Sequence, residues 1–234
     1  MIVLLVVSVL LGGLLMPLSA QIESRNLEET RRRLDEVREA LLGFAAANGR
    51  LPCPATAASN GVEDPPGGGT CSVAYYGFVP GKTLGLVTAD GYALDAWGNR
   101  IGYAVARDGA PNAFTTAGGM RARTMTSLSP DLRVCADATL LFPPEAPLKC
   151  AQDEGARADK VLTNDAAAVL VSPGRNGAAA PSDPDELANV NDDRVFVSHP
   201  RASDETNRGK FDDELTWLSR FTLFNRMVAA GQLP

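Results

Sequence analysis

The chain has 234 residues, 45% of them apolar and 21% charged, with a formal net charge of −6. Such a balance gives enough apolar chain for a proper core and excludes an intrinsically disordered protein. It also excludes nucleic acid as the main partner, because the one basic run, Arg31-Arg32-Arg33, is interleaved with acids and neutralises no phosphate track.

Met1 to Ile22 carries no charged side chain, and a run of that length spans ~30 Å of hydrocarbon at ~1.5 Å per residue. A secretory signal places Lys or Arg ahead of its apolar stretch, whereas the first basic residue here is Arg25. The run therefore reads first as a retained membrane-spanning helix. A cleaved signal peptide ending at Leu18-Ser19-Ala20, before Gln21, stays open as the alternative, and a buried core helix fits poorly. Gly12 and Gly13 permit close helix approach, or are simply glycines that a bilayer tolerates. Pro17 removes one backbone donor and predicts a kink.

The helix continues into charged sequence. Glu28–Arg32, Glu29–Arg33 and Arg32–Glu36 are i,i+4 pairs, each adding a few tenths of a kcal/mol on a solvated face. Leu27, Leu34, Val37, Leu41 and Phe44 recur at helical spacing and form one apolar stripe. Asn48-Gly49 ends the helix, with Gly49 as a left-handed cap and Pro52 and Pro54 forbidding continuation. Three parts follow: a membrane half (1–22), its soluble continuation (23–48) and a globular domain (49–234).

Within that domain, residues 55–70 are a loop by composition. Strands are expected around Ile101–Ala106, Leu140–Phe142, Ala167–Ser172 and Arg194–Ser198. A last amphipathic helix is expected from about Asp212 to Ala230, carrying Leu215, Trp217, Leu218, Phe221, Leu223, Phe224 and Met227. The expected fold is α+β: a long amino-terminal helix, membrane-spanning in its first half, packed on a small antiparallel sheet, with a carboxy-terminal helix. Cys53, Cys71, Cys135 and Cys150 form no CxxC or Cys/His cluster, and His199 is the one histidine, so zinc has no ligand set. After an export segment, two disulfides are the natural reading, most simply Cys53–Cys71 and Cys135–Cys150. Other pairings, and four buried thiols in a reducing compartment, stay open.

The apolar helix, Pro17, the junction Ala40-Leu41-Leu42-Gly43-Phe44-Ala45-Ala46-Ala47-Asn48-Gly49-Arg50-Leu51-Pro52-Cys53-Pro54 and the loop Asp95-Ala96-Trp97-Gly98-Asn99-Arg100 together resemble the type IV pilin and type II secretion pseudopilin superfamily. The ending, from Trp217-Leu218-Ser219 to Gly231-Gln232-Leu233-Pro234, also looks like a pilin-like bacterial family. The resemblance is good at both ends and thin between them. Prepilins carry a basic leader ending in Gly, then an aromatic residue and a nearby Glu; this chain begins where the residue after that Glu would fall, so the expectation is a start assigned to an internal Met, a leader missing from this sequence, or a subunit that lacks the Glu, as some tip subunits do.

The resemblance implies a structural fibre subunit of a type II secretion pseudopilus or type IV pilus-like fibre. Such a subunit is anchored in the bacterial inner membrane by a single pass, with its globular domain in the periplasm, before it joins the fibre. Its implied partners are other pilin-like subunits, met through the helix bearing Leu11, Gly12, Gly13 and Pro17, together with an inner-membrane platform protein and a prepilin peptidase. A minor or tip pilin for adhesion or DNA uptake shares these features. A secreted soluble binding protein with a cleaved signal peptide is the alternative from another class.

Asp95-Ala96-Trp97-Gly98-Asn99 reads as structural: Trp97 anchored in the core, Gly98 at positive φ, and Asn99 making a side-chain turn bond. Ser172-Pro173-Gly174-Arg175-Asn176-Gly177 stands where major pseudopilins carry a Ser-x-Gly-x-Asp-Gly loop whose surroundings bind calcium. Asn176, Asp183, Asp185, Asn191 and Asp193 are the oxygen ligands that this likeness offers to calcium, although Asn176 replaces the family's Asp. No cofactor is required by any motif. Gly81-Lys82-Thr83 lacks the spacing of a phosphate loop, no Gly-x-Ser-x-Gly elbow occurs, and His199 alone makes no catalytic set. An enzyme is not expected.

Overall fold

The computed structural model describes residues 2–86, 90–108, 112–123, 126–136, 161–179, 181, 183–201 and 211–234, with the side chains of 2–18 outside the description. Helix α1 (Ile2–Asn48) runs unbroken through the apolar and the charged sequence. Its carboxy-terminal half buries Leu34, Val37, Leu41, Leu42 and Ala45; full burial of each Leu contributes roughly 1.5–3 kcal/mol. Gly49 ends the helix at φ 69°, and its N–H donates to the Ala45 carbonyl at 2.9 Å, so a left-handed residue closes the last turn. Of the expected surface pairs, Arg33–Glu29 and Arg32–Glu36 form at 2.9 Å, while Arg32 takes Glu29 in place of Glu28.

The rest of the chain builds one six-stranded sheet. Its elements are β1 (Tyr76–Phe78), a short α2 (Gly81–Leu84), β2 (Gly102–Val105), β3 (Leu132–Cys135), β4 (Val161–Ser172), α3 (Pro184–Val190), β5 (Val195–Val197), β6 (Glu214–Ser219) and α4 (Arg220–Ala229). The strand order is β1-β2-β4-β3-β5, with β6 also paired to β4. β4 is the organiser: Ala168–Val171 pairs with β2, Val161–Ala166 with β3, and Ala166–Ser172 with β6. α1, α4 and the sheet enclose a single main core containing Tyr103, Phe114, Ile101, Phe196 and Leu170.

Three expectations are corrected. The sheet is mixed and not antiparallel, because β3 and β5 run parallel, with Arg133 opposite Val195 and Cys135 opposite Val197. The physical reason is occupancy: β3 already pairs with the first half of β4, so the chain returning through α3 adds β5 on the outer side of β3. For the membrane-spanning half, no helix among the described residues is long and apolar enough to cross a membrane; Leu11, Gly12, Gly13 and Pro17 have side chains outside the described ones. The carboxy-terminal helix is half as long as expected. Glu214–Ser219 pairs with β4 as a strand, and α4 starts only at Arg220, where the Ser219 hydroxyl accepts from the Thr222 N–H at 3.3 Å.

Two further expectations meet the structure directly. Cys53 and Cys71 form a disulfide across a sequence separation of 18 residues. Cys135 is disulfide-bonded as well, and Cys150 lies outside the described residues, as does the expected strand at Leu140–Phe142. Closing a loop of this length stabilises by about 3 kcal/mol through the unfolded chain. Replacing Cys53 and Cys71 together by Ser is therefore expected to lower the unfolding free energy by about that amount in urea titrations. An unchanged midpoint would show that the junction needs no crosslink.

Candidate functional site

Two Gly- and Asp-rich loops meet at one end of the sheet, over α1. In the first, the Asp95 carboxylate accepts from the Trp97 N–H at 2.9 Å and the Asn99 N–H at 2.8 Å through Oδ1, and from the Ser172 hydroxyl at 2.8 Å through Oδ2. Gly98 sits at φ 87°, the region that glycine adopts without steric cost. Arg33 of α1 donates to the carbonyls of Leu94 (3.2 Å) and Asp95 (2.8 Å), and Thr30 accepts from the Ala96 N–H at 3.1 Å. The loop is thus clamped to the helix. Trp97 departs from the expectation: it is half-buried outside the core, with the Arg201 guanidinium 5.3 Å over its ring. Asn99 makes its side-chain bond across to the second loop, donating to the Gly174 carbonyl at 2.6 Å.

The second loop, 172–177, leads into an acidic constellation. Asp212 Oδ2 accepts from the backbone N–H groups of Arg175 (3.0 Å) and Asn176 (3.3 Å). The Asn176 amide donates to both Glu186 oxygens at 2.8 and 3.0 Å, and Glu186 accepts from the Asp212 N–H at 3.2 Å. Asp213 accepts from Asn189 at 2.8 Å; Asn189 also pins β5 through the Val197 N–H and carbonyl. Among the described residues, the one set of three His, Cys, Asp or Glu side chains with ligand atoms mutually within 4.8 Å is Glu186, Asp212 and Asp213.

Burial sets the charge state of this set. Asp213 is pushed up to about 8, first by loss of water and then by the facing Glu186, Asp212 and Asp183, against the Asn189 hydrogen bond. Glu186 and Asp212 are also raised, in each case mainly by burial. The trio offers hard oxygen ligands of the kind that calcium takes; without a cation, Asp213 keeps its proton up to about 8, and the affinity of Glu186 and Asp212 for protons is raised as well.

The five expected calcium ligands do different local work. Asn176 binds Glu186, as described. Asp183 caps α3, accepting from the Asp185 N–H at 2.7 Å. Asp185 meets His199 Nε2 at 2.9 Å, and that ring stacks on Phe211 at 3.9 Å between centroids. Hydrogen bonding to Asp185 raises the His199 pKa, and burial opposes it. Asp193 accepts from the Val195 N–H at 2.7 Å and from the Asn191 side chain. Asn191 Oδ1 is buried and unpartnered.

Sequence reading passed over Glu186, Asp212 and Asp213. Asp212-Asp213 read as acids at a helix start, and only the β4–β6 register shows that they precede a strand. A signal for Glu186 was present: Asp183-Pro184 is a cap followed by Pro at the first helical position, which predicts a helix through Glu186.

Compared with known protein families, with curated proteins and with solved structures, the chain matches none.

Proposed function

We propose that this chain is a structural subunit of a pilin- or pseudopilin-like fibre, held at the bacterial inner membrane by its amino-terminal end before assembly. One observation carries the reading: a single 47-residue helix joins uncharged sequence to a half that is packed on the sheet domain. At ~1.5 Å per residue it is ~70 Å long, whereas a domain of about 185 residues is only roughly 40 Å across. A helix that exceeds its own domain, and is uncharged from Ile2 to Ile22, requires apolar surroundings from elsewhere. Neighbouring helices of the same kind supply them in a fibre, and lipid supplies them beforehand. The clamp from Arg33 and Thr30 to the 95–99 loop supports the same reading, because it fixes the domain's orientation on the helix. The other partners of this reading are an inner-membrane platform protein and a prepilin peptidase.

Leu11→Asp tests it. The variant places a charge in the uncharged run, where no carboxylate partner is at hand. Cross-linking in cells that express the chain is expected to show the parent in multimers and the variant as monomer, with the melting point of the globular domain unchanged. Normal incorporation of the variant would sink the proposal, and so would a native amino terminus at Gln21 by intact mass, which instead describes a secreted soluble binding protein.

A further inference from the structure

The helix α1 meets its own domain at one sharp level. Ser19, Ala20, Gln21 and Ile22 are exposed, Ile22 at 53%, whereas Glu23 is part-buried. Two arginines from distant parts of the chain hold the Glu23 carboxylate. Arg201, which follows β5, reaches it at 3.1 Å, and Arg175 of the 172–177 loop approaches it at 3.8 Å. Among the described side chains, the domain therefore covers α1 only from Glu23 onward, the first charged residue of the chain.

Trp97 lies beside that level. The Arg201 guanidinium that reaches Glu23 also sits over the Trp97 ring, and the Ala96 N–H before that ring is held by Thr30, about two turns along α1 from Glu23. Trp97 is half-buried yet does not join the main core, which Trp217 borders. Packing of the domain does not account for a large ring left where α1 changes from uncharged to charged. An indole is an apolar ring with one N–H, and it settles at the headgroup level of a bilayer, between hydrocarbon and water. Arginine suits the same layer, since its stem covers apolar surface while its fork donates to phosphate oxygens. Two forks are on hand at this end: the Arg175 side chain is 71% exposed, and exposed Arg25 makes no ion pair among the described residues.

Resting on the reading that lipid surrounds the uncharged end of α1 before assembly, we propose that this end of the domain is a membrane-contact face. Its partner is the phospholipid headgroup layer. Trp97 enters that layer near Ile22, and Arg25 and Arg175 donate to headgroup phosphates. Glu23, paired with Arg201, brings no lone negative charge to the membrane. The bonds from Thr30 and Arg33 to the 95–99 loop hold the face at a fixed height on the helix, so the domain stands on the membrane in one orientation.

Fluorescence of the whole chain carrying Trp217→Phe, which leaves Trp97 as the one tryptophan, tests the face in phosphatidylcholine–phosphatidylglycerol vesicles. Flotation reports whether the vesicles hold the chain at all. Lipids spin-labelled at the headgroup, or deep in the acyl chain, report where Trp97 sits. The chain is expected to float, with Trp97 quenched by the headgroup label and far less by the deep one. Arg25→Gln with Arg175→Gln, both at exposed positions, should lessen the headgroup quenching; equal quenching overturns their part in the contact. A chain that floats with Trp97 untouched by either label overturns the face and leaves the anchoring intact. If Trp97 is then also shielded from iodide, it lies against a neighbouring subunit instead. A chain that does not float overturns both. Should Trp217→Phe fail to fold, the parent is compared with Trp97→Phe: headgroup quenching lost with Trp97 supports the face, and unchanged quenching overturns it.

Discussion

Glu63→Gln is expected to lower the unfolding free energy by about 3–5 kcal/mol, the usual cost of leaving a buried charge without its partner. Glu63 and Arg50 are 5% and 7% exposed, and they pair through two contacts of 2.7 Å each. The same carboxylate accepts from the Cys53 N–H at 3.1 Å and the Gly67 N–H at 3.2 Å. Arg50 also lies 5.0 Å over the Phe44 ring, so one ion pair ties the last turn of α1 to the 55–70 loop. Urea titration of the variant measures the effect, and a loss below about 1 kcal/mol would mean that the Arg50 charge reaches water. Arg50→Met with Glu63→Leu should recover most of the loss, since removing both charges removes the desolvation cost along with the attraction.

The second large effect is on pH dependence. With divalent cations chelated, stability should fall as pH rises from about 4 towards 8. In the unfolded chain the Asp213 carboxyl loses its proton near 3.8, whereas in the folded chain it keeps the proton up to about 8. The folded state therefore binds the extra proton throughout that window, and each rise in pH favours unfolding. His199, raised by Asp185, acts in the same direction as pH passes from 6.5 through its folded value. Asp213→Asn should flatten the slope and, at pH 8, have an unfolding free energy above the parent's by an amount on the order of 2–5 kcal/mol. An unchanged slope would refute the assignment to Asp213. Calcium at pH 8 is the complementary arm: a raised parent melting point, by mass action, places a cation among Glu186, Asp212 and Asp213. A melt unchanged at millimolar calcium removes that reading.

Much of α1 was legible because its signals are local: the Leu34, Val37 and Leu41 spacing and the Asn48-Gly49 stop need nothing beyond the neighbouring turn. β2, β4 and β5 were found as apolar runs, with β4 recognised only from its second half because Thr163-Asn164-Asp165 interrupts the apolar run with three polar residues. β6 was missed for a physical reason. Leu215, Leu218 and Trp217 fit helical spacing as well as they fit a strand, and their pairing with β4, far earlier in the sequence, settles the matter. The parallel β3–β5 pair was equally hidden, since strand direction depends on which edge is free. The acidic trio follows from both: its members come from α3 and from the residues before β6, and only the assembled sheet brings them together.

β4 has a consequence for how this domain can come apart. Three strands use it as their common partner over overlapping stretches, and α1 rests against it and β6. Opening β2 alone leaves β4 held by β6 along Ala166–Ser172, and opening β6 alone leaves it held by β2 and β3. Fraying from any one edge therefore exposes few of its amides, and those amides exchange with solvent only when the whole domain unfolds. The sheet behaves as one cooperative unit, with its least labile protons in β4, Val161–Ser172, and not in the helix that dominates its outline.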